Sequence, residues 1–482
     1  MSNAGIKIAR NTGTLVAVEV LSKILGIVLA LAIARKLGPA NFGLLAFAGS
    51  FAYIFGVFTH FGFDKLVLRE IGRDPKSTAF YLNNMIGLRL VLSTATFLAI
   101  FGALSMLNYS SEKSSVIYVA ALIMITESFI VLLNSFYRAH QKVRYEAIVE
   151  MFLRILIVSG GLIVLLLGYG LLELLLVQLL IFLISLALSF YLFHTRISKI
   201  VLNQLSVNFC SKLIRRATPF LVLSISIAIY AKIDTVMLSF IKGDQITGWY
   251  SAAYKFLEVF TFIPAAFVAG ILPAMSRFSK SAPELLSETY QKAAKYLFII
   301  ALPITVGTVV LADRIILVLY GGEYVNSVNA LRILIWALIL AFVNYVSANA
   351  LFAIDKEKVF VLIVIFGALF NICANLVLIP TLSYIGASIS TVATEGAVFI
   401  VSLFFVSLYL GKISIHQIVS RPMVSVALMA VTTWLLKGIN IALLIPLSAI
   451  VYGATLFLLK VFDEKELILF GSLFKKSDAK ST

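Results

Sequence analysis

Lys232 and Asp234 lie near the middle of an apolar run, PFLVLSISIAIYAKIDTVMLSFI (219–241). A charge at the centre of a hydrocarbon layer costs about 2.5–3.5 kcal/mol on insertion scales, so each of the two needs a compensating partner. Two residues apart on a helix, they point roughly 200° from one another and cannot pair. Each requires another helix, water or a transported group. Ser224, Ala228, Thr235 and Ser239 share the face of Lys232, a small and polar stripe that suits a wet space better than lipid.

Other ionisable residues interrupt apolar runs in the same way: Glu19, Lys23, Arg89, Glu127, Arg154, Lys255, Glu258 and Glu395. Glu19 and Lys23 are i,i+4 with the acid first, and Lys255 and Glu258 are i,i+3, so each pair can close within its own helix. For those four, an ion pair and a place in a cavity are equally open. Lys23, Lys232, Lys255 and Arg89 make a candidate cationic lining, because a phosphate stripped of water needs charged donors. Lysine, a compact point charge, also lets its ligand go again. The competing role is mutual neutralisation, since near mid-span five cations face five acids. Glu127 and Glu395 have no cation at helical spacing, and with Asp234 they are candidates for taking up and releasing a coupling ion, H+ or Na+. Their alternative is a carboxyl hydrogen-bonded between helices. Neither the four histidines nor Cys210 and Cys373 fall into a metal-ligand or disulfide pattern, so no cofactor is expected.

The elements that hold these residues follow from composition. The chain of 482 residues is 61% hydrophobic and 13% charged, with a mean hydropathy of +1.03. Soluble domains carry about 25% charged residues, so this is an all-α polytopic membrane protein. A bilayer core of about 30 Å takes about 20 apolar residues per helix, which gives about fourteen spans. Arg10 precedes a full-length span, and no cleavage site follows it. Lys and Arg alternate between loops: one set, with both chain ends, holds about 27 and the other about 7. The positive-inside rule therefore puts both termini in the cytoplasm of a multi-pass protein. The net charge of +16 is thus an orientation signal and not a nucleic-acid surface.

The halves resemble one another. LGPANFGLLAF (37–47) aligns with KGDQITGWYSA (242–252), matching Gly38 to Gly243 and Gly43 to Gly248. RAHQKVRYE (138–146) takes the place of AIDKEKVF (353–360), and LGYGLLELL (167–175) that of LSYIGASIS (382–390). Repeats built around a mid-membrane site are common in transporters. The expected organisation is an N-lobe of six helices (1–194), an amphipathic cytoplasmic linker (195–216), a C-lobe of six (217–411), and two appended helices with a cytoplasmic tail (412–482).

The stretch from Lys232 to Phe278, with ARKLGPANFGLLAFAGSFAYIF (34–55), FGFDKLVLREIGRD (61–74) and LYGGEYVNSVNALRIL (319–334), resembles the polysaccharide flippases of the MOP superfamily. The resemblance covers nearly the whole chain in order. It implies two lobes around a cavity that opens alternately to each side of a prokaryotic cell membrane. The cargo would be an isoprenoid (pyro)phosphate-linked oligosaccharide, moved outward under an ion gradient during surface polysaccharide or glycan assembly. Implied partners are that cargo, membrane lipids, a polysaccharide polymerase and glycosyltransferases, with the protein itself a monomer. The rival is a multidrug or cation antiporter of the same superfamily, which mid-membrane lysines disfavour. A membrane glycosyltransferase or other enzyme needs a larger extramembrane loop than the sequence offers.

Overall fold

The computed structural model describes residues 3–107, 109–199, 205–411, 413 and 415–462. The described residues are helical with short connections. The first half contains α1 (Asn3–His60), α2 (Phe63–Arg73), α3 (Thr78–Leu107), α4 (Ser111–Ala139), α5 (Val143–Leu166) and α6 (Leu171–Arg196). Then come α7 (Val207–Lys242), α8 (Asp244–Phe260), α9 (Phe262–Ser281), α10 (Pro283–Leu319) and α11 (Ser327–Leu334). The chain continues through α12 (Ala337–Ala353), α13 (Glu357–Leu410), α14 (Ile415–Leu435) and α15 (Ile441–Leu458). Helices are the form an apolar chain can take in lipid, since each satisfies its own backbone.

Among the described residues, eleven helical segments are long and apolar enough to cross a membrane. Two of them are double. α1 breaks at Gly38 and α13 at Ser383. Near the second break the chain returns on itself: a methyl on Gly386 would overlap the carbonyl of Leu378. Among the described residues α14 is a further 21-residue helix outside those eleven, where the sequence reading expects about fourteen spans. Large side chains such as Leu166, Ile400, Phe404 and Leu443 stay exposed along the helices, as a lipid-facing surface requires.

The turns repeat as the sequence matches predict. Gly38 (φ 76°, ψ 175°) and Gly243 (φ 85°, ψ 175°) share one left-side conformation that glycine tolerates. Gln141 and Asp355 both take positive φ, 54° and 57°. Around them Lys142 N bonds to Tyr137 O and Lys356 N to Leu351 O, both at 2.9 Å. Gly168 (φ 82°) likewise corresponds to Ser383 (φ 57°).

The chain packs as two compact units. One comprises 1–255, 319–327 and 364–394; the other comprises 256–318, 328–363 and 395–482. The first has a core of Phe63, Leu66, Ile71, Leu133, Phe136 and Phe193. In the second, Leu302, Met429, Tyr452 and Leu456 pack together, and the Tyr452 hydroxyl donates to Ile299 O at 3.0 Å. The separate amphipathic linker expected at 195–216 needs correction. α6 continues to Arg196, and residues from Val207 onward already belong to α7, capped by Ser206. The middle of that segment, 200–204, and the tail beyond 462 lie outside the described residues.

Candidate ion site and cationic residues

α7 carries Asp234 into the first compact unit, where its side chain is 5% exposed. Two stretches of α13 meet it. Asn371 and Asn375 are i,i+4 and so share a face; Thr391 and Thr394 follow the break at Ser383. Because the chain folds back there, Asn375 and Thr391 meet at one carboxylate, with Asn371 and Thr394 linked behind them. A third donor, Tyr250, comes from α8.

Asp234 Oδ1 accepts from Asn375 Nδ2 at 2.5 Å. Its Oδ2 accepts from Thr391 Oγ1 at 2.6 Å and from the Tyr250 hydroxyl at 2.9 Å. Asn375 Nδ2 also reaches Asn371 Oδ1 at 3.0 Å, and Asn371 Nδ2 donates to Thr394 Oγ1 at 3.3 Å. None of the hydrogen-bond partners of Asp234 carries a charge. Asn375, fully buried, has its Oδ1 without a hydrogen-bond partner, an acceptor whose burial costs free energy until something donates to it or is coordinated by it. A carboxylate, an amide oxygen and a hydroxyl gathered out of water form a site of hard oxygen ligands. Such a site can hold a small cation or a proton.

Lys232 has the other fate. It is partly exposed, with Nζ 5.9 Å from the ring centroid of Tyr254, within cation–π reach. Tyr250 and Tyr254 stack at 5.7 Å. One face of α8 therefore serves both charges of α7.

Lys23 pairs with Glu19 at 3.6 Å, as their spacing allows, and the Glu19 side chain is 63% exposed. Lys255 and Glu258 are both partly buried. Arg89 requires correction. It is fully buried, bonds to the carbonyl of Ser128 and reaches Asp64 Oδ1 at 3.3 Å. It ties α3 to α4 and α2 and does not line an open space. Glu127 is less isolated than its own helix suggests: Arg154 and Glu150 of α5 act on it electrostatically, and those two pair at 2.8 Å. Glu395, in the second unit, accepts from Asn344 Nδ2 at 2.8 Å. Sequence reasoning missed Tyr250, Asn371, Asn375, Thr391 and Thr394. The available signal was two asparagines at i,i+4 inside the apolar run FNICANLVL (370–378).

The chain resembles a probable lipid II flippase, MurJ, of Haemophilus influenzae, with 28% identity over 261 residues, 48% of this chain and 51% of that protein. It also resembles a probable flippase, AglR, of Haloferax volcanii, with 28% identity over 169 residues, 34% of this chain and 35% of that protein. The matches thus span about a third to a half of the curated relatives. A solved lipid II flippase MurJ in an inward closed conformation superposes with a TM-score of 0.66 at 17% identity, covering 94% of this chain and 99% of the other. An inward-facing multidrug resistance MATE family transporter of the MOP superfamily gives 0.65 at 17%, covering 81% and 94%. These likenesses establish the fold. The MatE family model matches residues 219–377. The model described as polysaccharide biosynthesis protein matches residues 8–279, more than half of the chain. By that match the protein belongs to the polysaccharide biosynthesis protein family.

Proposed function

We propose that this protein is a flippase that carries an isoprenoid (pyro)phosphate-linked oligosaccharide from the cytoplasmic to the outer leaflet by alternating access, driven by H+ or Na+ exchanging at Asp234. The observation that supports it most is the division of labour on α7, where an oxygen-lined carboxylate and a partly exposed lysine stand two residues apart. The lysine side, with Lys23 and Lys255, attracts the phosphate. The isoprenoid tail stays in lipid, which avoids hydrating its methylenes at about 0.8 kcal/mol each. Ion exchange supplies the difference in free energy between inward and outward states that net transport needs. Both termini lie in the cytoplasm of the cell membrane in this reading. Glycosyltransferases build the cargo on one side, and a polymerase consumes it on the other.

In proteoliposomes with an imposed H+ or Na+ gradient, Asp234→Asn abolishes accumulation of flipped cargo while cargo binding persists. Undiminished accumulation would remove Asp234 from the coupling site. The MatE match favours a second reading, export of organic cations. Lys23→Ala with Lys232→Ala separates the two, lowering flipping of an anionic lipid but raising transport of a cation.

A further inference from the structure

Beyond the ion site, the repeat glycines meet in the first compact unit. A methyl on Gly43 would overlap the carbonyl oxygen of Asp244 and come within 2.6 Å of the Gly248 nitrogen. A methyl on Gly248 would overlap the carbonyl oxygen of Pro39 and come within 2.7 Å of its carbon. Main chain rests on main chain, which only glycine permits.

A charge clamp lies over this contact. Lys113 Nζ bonds both carboxylate oxygens of Asp244 at 2.9 Å, and Ser239 Oγ donates to the same carboxylate at 2.6 Å. The ammonium sits 4.4 Å from the ring centroid of Tyr109 and 4.9 Å from that of Phe47. Phe240 stacks on Tyr109 and meets Phe47 edge-on. The Lys113 and Asp244 side chains are only 15% and 21% exposed, so solvent screens the pair incompletely. The clamp and the ion site share α8, which carries both Gly248 and Tyr250.

We propose that the contact of Pro39–Gly43 with Asp244–Gly248, clamped by Lys113, is a closed gate on the side where cargo leaves, and that the Lys113–Asp244 pair breaks each time this mouth opens. The direction of opening rests on the flippase reading above; the gate itself does not. Bare backbones need no side-chain repacking to separate. The ion pair and its aromatic wall supply the attraction that must be overcome. A ligand shifts such an equilibrium by its differential affinity for the two states, and a cation among Asp234, Tyr250 and Asn375 acts on the helices that carry one side of the gate.

The test uses full-length protein with Cys210→Ser and Cys373→Ser, plus a reporter, Ser251→Cys. Ser251 is buried and lies one turn beyond Gly248 on α8. Its modification by an impermeant thiol reagent added outside is slow when the gate is closed. Lys113→Gln speeds it roughly tenfold, in the range of ordinary coupling energies, and the swap Lys113→Asp with Asp244→Lys slows it again. Gly43→Ala speeds it without changing charge. In a separate protein lacking the reporter, Lys113→Cys and Asp244→Cys joined by a short reducible cross-linker arrest flipping until reduced. Reporter rates unchanged in both Lys113→Gln and Gly43→Ala, or full flipping by the cross-linked protein, would overturn the gate and leave a permanent structural crossing. Absence of lipid flipping in the unmodified protein would count against the flippase reading alone, because the reporter assay contains no cargo.

Discussion

Arg89 and Asp234 are both sealed inside the first compact unit, and their surroundings answer burial in opposite ways. Arg89 meets a carboxylate, Asp64, and a backbone carbonyl. Its charge is matched by a carboxylate on another helix, with its Nε alone lacking a hydrogen-bond partner. Asp234 meets only neutral donors, and an amide oxygen beside it has no partner. Its compensation is incomplete without a visitor. The first arrangement holds helices together, whereas the second is suited to a group that comes and goes. Burial alone does not separate structure from function; the charge state of the neighbours does.

Substitutions can break or sharpen that contrast. The largest effect on transport belongs to Asp234→Asn, with loss of gradient-driven accumulation and a folded protein, because Asn375 can turn its unused oxygen toward the new amide. Failure to fold, judged by size-exclusion profile, would make Asp234 a structural residue like Arg89. Arg89→Met should act on stability instead, lowering it by about 1–3 kcal/mol as the hydrogen bonds of a buried guanidinium to Ser128 and the partly exposed Asp64 are removed. Thermal unfolding in detergent reads this, and a variant as stable as the wild type would show that the pair is dispensable. Tyr250→Phe removes one of three donors to Asp234, worth about 1–2 kcal/mol, and should change the ion concentration for half-maximal transport by about tenfold. Glu395→Gln has the smallest effect, within about twofold, because an amide oxygen can still accept from Asn344. Loss of coupling there would move the ion site to the second unit.

What the sequence disclosed depended on distance along the chain. Glu19 and Lys23 share a helix, so their spacing already offered the pair, beside a cavity role, that the structure shows. The turns at Gly38 and Gly243 were visible because glycine at matching places in two repeats marks matching backbone. Arg89 looked like a cavity residue because its partner Asp64 lies on another helix. The neighbourhood of Glu127 was hidden for the same reason, with Arg154 on α5. Least visible were Asn371, Asn375, Thr391 and Thr394. Neutral polar side chains are unremarkable in a membrane helix, and only the reversal at Ser383 makes them a site.

The glycine crossing carries a consequence about ancestry. In a two-fold dimer, a residue i that touches j on the partner is answered by j touching i. With Gly38 aligned to Gly243, Pro39 corresponds to Asp244 and Gly43 to Gly248. Gly43 against Asp244 and Gly248 against Pro39 are then the same contact made twice. A six-helix ancestor bearing one such surface would have recognised a second copy of itself, and tandem fusion would have preserved that recognition within a single chain. Once the copies were joined, the two sides were free to diverge, so that a clamp of one lysine and one aspartate could arise on a contact that began symmetric.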